Sequence, residues 1–210
     1  MKTSTTSRVI ALTVPLAALP LARTHAAYDA FLKIEGIEGE SNNQQHRDEI
    51  DVLSFSWGTS NPAALSNHTG GSGGGKVSLD ALKVTKRVDK ASPKLFLACF
   101  RDDIEPAPVI LSLVKTYPGE EHADDEIVKF FEIELSGVRV ARVESSVNPR
   151  RDERDGDTGP DLSERTETVT FSFEEIKVTY SPQGADGRYK RIDDHEAVSV
   201  EIVNTPPEVD

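Results

Sequence analysis

The sequence predicts a mainly β fold, a β-barrel of two packed antiparallel sheets with one short α-helix alongside. Three observations carry this. From Tyr28 onward, apolar and polar residues alternate with a period of two along most of the chain, the pattern of half-buried strands. Two of the alternating segments are long and slip phase by one residue midway, a device that bends strands and curves sheets. Only one stretch carries the signals that start and sustain a helix.

In chain order, Ala30, Leu32 and Ile34 alternate with Phe31, Lys33 and Glu35 until Gly36 stops the strand. Glu38 to Asp48 is polar and reads as a loop. Ile50 to Trp57 resumes as a strand, with Leu53, Phe55 and Trp57 on the core face and Ser54 and Ser56 on the other. Gly58 to Gly75 holds Asn61-Pro62 and a glycine run, a mobile loop. Val77 to Val88 is a third strand. Ser92-Pro93 starts the helix, with a hydroxyl to cap free amides and a proline where its missing N–H is harmless. Phe96, Cys99 and Phe100 share one face of that helix, and Cys99 reads as a small apolar packing residue.

Val109 to Tyr117 is again a strand, with Val109, Leu111 and Leu113 on one side. Ile127 to Val143 is a long one. Its apolar phase passes from Phe131, Ile133 and Leu135 to Val138 and Val140 across Gly137, the mark of a β-bulge. Glu164 to Tyr180 repeats the slip, from Val169, Phe171 and Phe173 to Ile176, Val178 and Tyr180. Ser181 to Arg188 is turn-like, and Ala197 to Val203 adds a last strand before Pro206-Pro207.

The chain has 210 residues and a formal net charge of −12, which points to one domain and away from nucleic acid, whose phosphates need clustered Lys and Arg. Lys2 and Arg8 precede the apolar stretch Val9 to Ala22, followed by Thr24-His25-Ala26-Ala27. That order is a secretory signal peptide cut near Ala26, or else a disordered extension. The stretch is shorter than the roughly 20 residues of a membrane span, so none is expected. The expected organisation is a leader or extension over 1–26, a barrel domain over 27–204 and a disordered tail over 205–210.

No catalytic, cofactor or metal site is expected. Gly70, Gly75 and Lys76 match a phosphate loop up to its last position, but Val77 replaces the magnesium-holding hydroxyl and a strand follows in place of a helix. Gly70-x-Ser72-x-Gly74 matches a nucleophile elbow in letters only, lacking the strand before and helix after. His25, His46, His68, His122 and His195 all lie in polar or loop contexts, and none is spaced as a zinc ligand. Asp152, Asp155, Asp157 and Asp161, interspersed with Arg150, Arg151 and Arg154, read as a solvated loop lacking the alternation and terminal glutamate of a calcium site.

Three runs together resemble the haemolysin-coregulated protein (Hcp) family of type VI secretion systems. They are Phe31-Leu32-Lys33-Ile34-Glu35-Gly36-Ile37-Glu38-Gly39-Glu40-Ser41, then His46 through Gly58, then Gly75-Lys76-Val77 with Thr85-Lys86-x-Val88-Asp89-Lys90-Ala91-Ser92-Pro93-Lys94-Leu95. Weaker echoes reach Ser181-Pro182-Gln183-x-Ala185-Asp186-Gly187, so the resemblance covers residues 28–188. It implies a non-enzymatic tube subunit. Six copies would form a ring, rings would stack into a tube that a contractile sheath expels, and the tube would carry effector proteins and meet a spike protein. Each subunit of a closed ring presents two different, complementary surfaces to its neighbours. On that resemblance, the loops Glu38 to Asp48 and Gly58 to Gly75 are expected to make ring-to-ring contacts, through Glu40, Ser41, His46, Asn61, Pro62, Asn67, Gly71 and Gly74. Ser54 and Ser56 are expected to face the lumen. The protein would be secreted, or periplasmic where the leader is cleaved. The leader, the arginine-rich loop and the segment after Arg188 depart from the family pattern. A secreted or periplasmic binding or adhesion module on the same barrel, without a contractile machine, is the alternative.

Overall fold

The computed structural model describes residues 28–61, 77–101, 108–119, 125–147 and 165–203. Among these, the chain forms β1 (Asp29–Lys33), β2 (Ile50–Ser56), β3 (Thr59–Ser60), β4 (Ser78–Leu79), β5 (Leu82–Arg87), α1 (Ser92–Arg101), β6 (Val109–Tyr117), β7 (Glu126–Ser136), β8 (Arg139–Val147), β9 (Arg165–Ser172), β10 (Glu175–Tyr180) and β11 (Val198–Val203). Nine strands make one antiparallel sheet in the order β11-β10-β7-β6-β1-β2-β5-β9-β8, and β3 pairs with β4 in a small separate ribbon.

Among the described residues, the mainly β class and the single short helix agree with the sequence reading, but the two packed sheets closing into a barrel do not appear. The sheet is one, and β8 and β11 stand at opposite ends of its strand order. The reason lies in the two long segments. Each splits in two: β7 leads to β8 through Gly137-Val138, and β9 leads to β10 through Phe173-Glu174. Together they make one bent two-stranded ribbon, with Ser136 opposite Glu175 on one arm and Arg139 opposite Ser172 on the other. The phase slips therefore mark the bend where both strands leave one part of the sheet for another, not a bulge within one ladder. Gly137 has φ +62°, in the left-handed region that side chains disfavour. Glu174 donates its N–H to Ser136 O at 3.0 Å across the bend.

The bend curls the sheet around a common core. Leu82, Val84, Val169 and Phe171 from one end are fully buried, as are Val109, Leu111, Ile133 and Leu135 from the other, and all belong to one cluster. Burying such a side chain contributes about 1.5–3 kcal/mol, so the cluster dominates the fold's stability.

Three local expectations are corrected. Against β5, the β2 register slips between Val52 and Ser54, so Leu53 is the extra residue of a bulge. Leu53 is consequently exposed and Val52 packs on the core in its place, while Phe55 packs there as expected; Trp57, beyond the end of β2, is exposed. The segment Val77 to Val88 is interrupted at Asp80-Ala81, where the Asp80 N–H donates to Gly58 O at 2.8 Å. On α1, Leu95 and Ala98 face the core while Phe96 and Phe100 are 66% and 83% exposed. Cys99 is half-buried against the core.

Candidate assembly interface

The described parts of the family-like runs around residues 31–50 and 85–95 meet in space. Gly36 turns with φ +76° and the Ile37 N–H returns to Ile34 O at 3.1 Å. The following loop folds on itself: the Gly39 N–H donates to Asp48 O at 2.7 Å, Ser41 N–H to Glu49 O at 3.0 Å, and Asp48 N–H to Ser41 O at 3.0 Å. Gly39 is required by contact, since a Cβ there would lie 2.3 Å from Glu49 O. Asn43 Oδ1 accepts the N–H groups of Gln45 and His46 at 2.9 and 3.3 Å. The His46 ring stacks on Phe31 at 4.6 Å, and its Nδ1 lies 2.8 Å from Glu49 Oε2.

The start of α1 docks onto this loop. Lys94 Nζ donates to Gly36 O at 2.8 Å, and the Lys90 N–H donates to Glu40 Oε1 at 3.0 Å. Lys90 Nζ reaches Asp48 at 3.1 Å and Glu38 at 3.4 Å. The hydrogen bond that Lys90 donates to Asp48, with the charges of Asp48 and Glu38, raises the Lys90 pKa above its ordinary value against a smaller desolvation effect.

Beneath lies a polar cluster inside the core. Lys86 and Glu167 are cross-strand partners on β5 and β9, 0% and 2% exposed. Lys86 Nζ donates to Asp89 Oδ1 at 2.6 Å, Arg87 O at 2.7 Å, Glu167 Oε1 at 2.9 Å and Ser92 Oγ at 3.3 Å. Ser92 Oγ donates to Glu167 Oε1 at 2.8 Å and accepts the Asp89 N–H at 3.1 Å. Ser92 is thus not the cap expected from the sequence. The Leu95 N–H already bonds to Ala91 O at 2.9 Å, and Asp89 Oδ1 takes the Ala91 N–H at 2.9 Å. The hydroxyl instead pins α1 to β9. Sequence reasoning missed this cluster although a signal existed. Lys86 falls in the inward phase of Leu82 and Val84, and Glu167 in that of Val169 and Phe171. Two opposite charges on core phases mark a buried pair.

On the face of the sheet turned away from the core, Ser54 and Ser56 are exposed. Cross-strand partners extend this surface in rows, Ser56–Lys83–Thr170–Arg142 and Ser54–Thr85–Thr168–Glu144. Arg87 and Arg139 lie on the same face, so this end is rich in hydroxyls and cations. The corresponding face of β7, β10 and β11 carries Glu132, Glu134, Glu175 and Glu201, with Lys177 opposite Glu134 and Glu201.

Of the residues expected at ring contacts, Glu40 and Asn61 are exposed, whereas Ser41 and His46 are only 3% and 6% exposed. Pro62, Asn67, Gly71 and Gly74 lie outside the described residues. The loop's outward groups are Glu38, Glu40, Asn42, Gln44, Gln45, Arg47 and Asp48, carried on a hydrogen-bonded frame. Among the described residues, one group gathers possible metal ligands, the consecutive Asp194, His195 and Glu196 on a surface turn. No helix there is long and apolar enough to cross a membrane.

The chain resembles proteins of one kind. A family model described as "Type VI secretion system effector, Hcp" matches residues 31–180. Protein hcp1 of Pseudomonas aeruginosa is 35% identical over 161 residues, covering 77% of this chain and 88% of that protein. A solved type six secretion system protein superposes with a TM-score of 0.59 at 28% identity, covering 78% of this chain and 90% of that one. Hcp1 of Salmonella typhimurium superposes with a TM-score of 0.56 at 26% identity, over 85% and 95% of the two chains. With residues 31–180 matched by the family model and a relative 35% identical over 161 residues, this chain belongs to the Hcp family of type VI secretion system proteins.

Proposed function

We propose that this protein is a structural tube subunit whose copies close into a six-membered ring, with rings stacked into a tube that a contractile sheath expels behind a spike. Its work on this reading is assembly and the carriage of effector proteins, not catalysis, and its destination is outside the cell. The family match across residues 31–180 carries the reading. The rigid, charged loop of residues 38–48 supports it as a ring-to-ring contact, presented through Glu38, Glu40, Arg47 and Asp48. The hydroxyl-rich rows containing Ser54 and Ser56 support that face as the lumen wall, a wetted surface on which cargo binds without a deep pocket.

Native mass spectrometry with negative-stain imaging tests the ring. A six-fold annulus is the expected result, and a monomer at high concentration across a range of salt overturns the proposal. Self-association is expected to strengthen as salt rises, because copies carrying a net charge of −12 repel one another and salt screens that repulsion over about 8–10 Å. For the lumen, Ser56→Cys in a Cys99→Ser background is expected to crosslink to bound cargo; a thiol closed to solvent in the ring counts against that assignment.

A further inference from the structure

We infer that residues 9–14 of the uncut chain add as a further strand beside β11 of the same molecule and cover its apolar row. The segment before Tyr28 is then a built-in cover, which a cut near Ala26 removes. The row lies at one end of the sheet. Of the two strands that terminate the strand order, β8 has α1 packed on it, whereas β11 has β10 alone as its neighbour in the sheet. On the core side of β11, Val198, Val200 and Ile202 stand opposite Tyr180, Val178 and Ile176. Yet these three are 63%, 54% and 39% exposed, and Tyr180 beside them is 43% exposed. An edge strand left to water is ordinarily blunted by lysine, proline or a bulge. Val198–Val203 has none of these and pairs with β10 without a register shift. A contiguous apolar row on an open edge marks a contact, with backbone donors and acceptors ready for one more strand.

Pattern, reach and charge select the occupant. Residues 9–14 match β11 in length and alternate with the same period, Ile10, Leu12 and Val14 on one face and Val9, Ala11 and Thr13 on the other. Val9, Ile10, Thr13 and Val14 are β-branched and suit a pleated surface, and Pro15, with no N–H to give, ends the pairing. Beside β11, the first of these faces continues the row of Val198, Val200 and Ile202. Reach is ample. The described chain begins at Tyr28, whose ring meets Phe130 at 6.4 Å; Phe130 stacks on Tyr189 at 3.9 Å, and Tyr189 meets Tyr180 at 6.5 Å. Tyr180 is the cross-strand partner of Val198, so an aromatic path joins the chain's entry to the row. Four strand steps separate β1 from β11, about 19 Å at about 4.8 Å each. The 13 residues from Pro15 to Ala27 extend to about 45 Å. Residues 1–27 also hold Lys2, Arg8 and Arg23 and no carboxylate, in a chain of net charge −12, so the rest of the molecule attracts them. Tethering favours this segment over a second copy, since a linked segment has an effective concentration on the order of millimolar.

The full chain, its N-terminus confirmed by intact mass, is the material for the test. In a Cys99→Ser background, Leu12→Cys with Val200→Cys is treated with a short bismaleimide. A link within one copy is expected, read as a monomer band whose digest joins positions 12 and 200. Links only between copies give the row to a second molecule, and no link leaves it without this occupant; either result overturns the inference. A second measurement does not depend on the engineered thiols. Leu12→Glu in the otherwise native chain is expected to speed amide hydrogen exchange across Val198–Val203 by about tenfold or more, the factor that loss of one buried leucine brings to a local opening. Exchange that stays unchanged overturns the inference, because Leu12 then covers nothing there. Neither readout requires a ring, so both keep their meaning whether the wild type is annular or monomeric.

Discussion

Lys86 and Lys90 stand four residues apart, and each ammonium meets two carboxylates, yet the two sites do opposite kinds of work. Lys86 is fully buried between Glu167 and Asp89, where losing water is expensive and only dense hydrogen bonding offsets it. Lys90 sits at the surface with Glu38 and Asp48, all three more than one-third exposed, where solvent and salt screen the attraction. The difference teaches that the family-like string from Thr85 to Leu95 is not one feature. Its first half anchors the helix inside the molecule, and its second half ties the 38–48 loop down from outside.

The comparison breaks most sharply at Lys86. Lys86→Met keeps the volume but strands Glu167 and Asp89 without their cation, a loss of about 3–5 kcal/mol, read as a lower midpoint in urea unfolding. Adding Glu167→Leu removes the stranded charge with its partner and is expected to recover part of that loss. A double variant no better than the single would place the stability in Asp89 and Ser92 instead.

The loop comes next. Gly39→Ala drives a methyl against the Glu49 carbonyl and the Ile50 Cα, 2.3 and 2.5 Å away. Both are backbone atoms, so the loop must move, at about 1–3 kcal/mol. Gly36→Ala meets nothing within 4 Å but must hold φ +76°, a strain of about 1–2 kcal/mol. The two variants should also part in function: Gly39→Ala displaces Glu40 and Asp48 and should weaken ring stacking in electron micrographs, while Gly36→Ala should not.

Much of this architecture was legible in the sequence, for a physical reason that also sets the limit. Strands announce themselves when one face is buried, and Val109–Tyr117 was bounded residue for residue by its alternation. The phase slips across Gly137 and between Phe173 and Ile176 were legible, but as bulges rather than as the bend they form. That their two arms join different parts of the sheet was not, because strand order is a non-local fact. Leu53, Phe55 and Trp57 alternate without interruption, so nothing local warns that pairing with β5 makes Leu53 a bulge. Ser41 and His46 failed similarly. A polar loop reads as surface, and only the fold lays His46 on Phe31 and buries Ser41 under the turn. At the candidate interface, the outward phase of Ser54 and Ser56 was readable, whereas the charge gradient across the sheet requires the pairing of strands far apart in sequence.

Lys90 supplies the smallest expected effect and the finest test of the comparison. Its pKa is raised by Asp48 and Glu38, so the folded state holds this proton more tightly than the unfolded chain does. The resulting stabilisation is fully present below the unfolded lysine value and is lost as pH rises through the higher folded value. In thermal melts, the gap between wild type and Lys90→Met should therefore be small, level up to about pH 10 and closing above it. Lys190, raised in the same sense by its hydrogen bond to Glu196, serves as a matched surface control remote from the loop in sequence. Lys190→Met should show the same pH signature without touching ring stacking, whereas Lys90→Met should loosen stacking as well, because it frees the loop that carries Glu38, Glu40 and Asp48. A Lys90 gap that widened with pH would mean the ammonium acts against its carboxylates rather than with them.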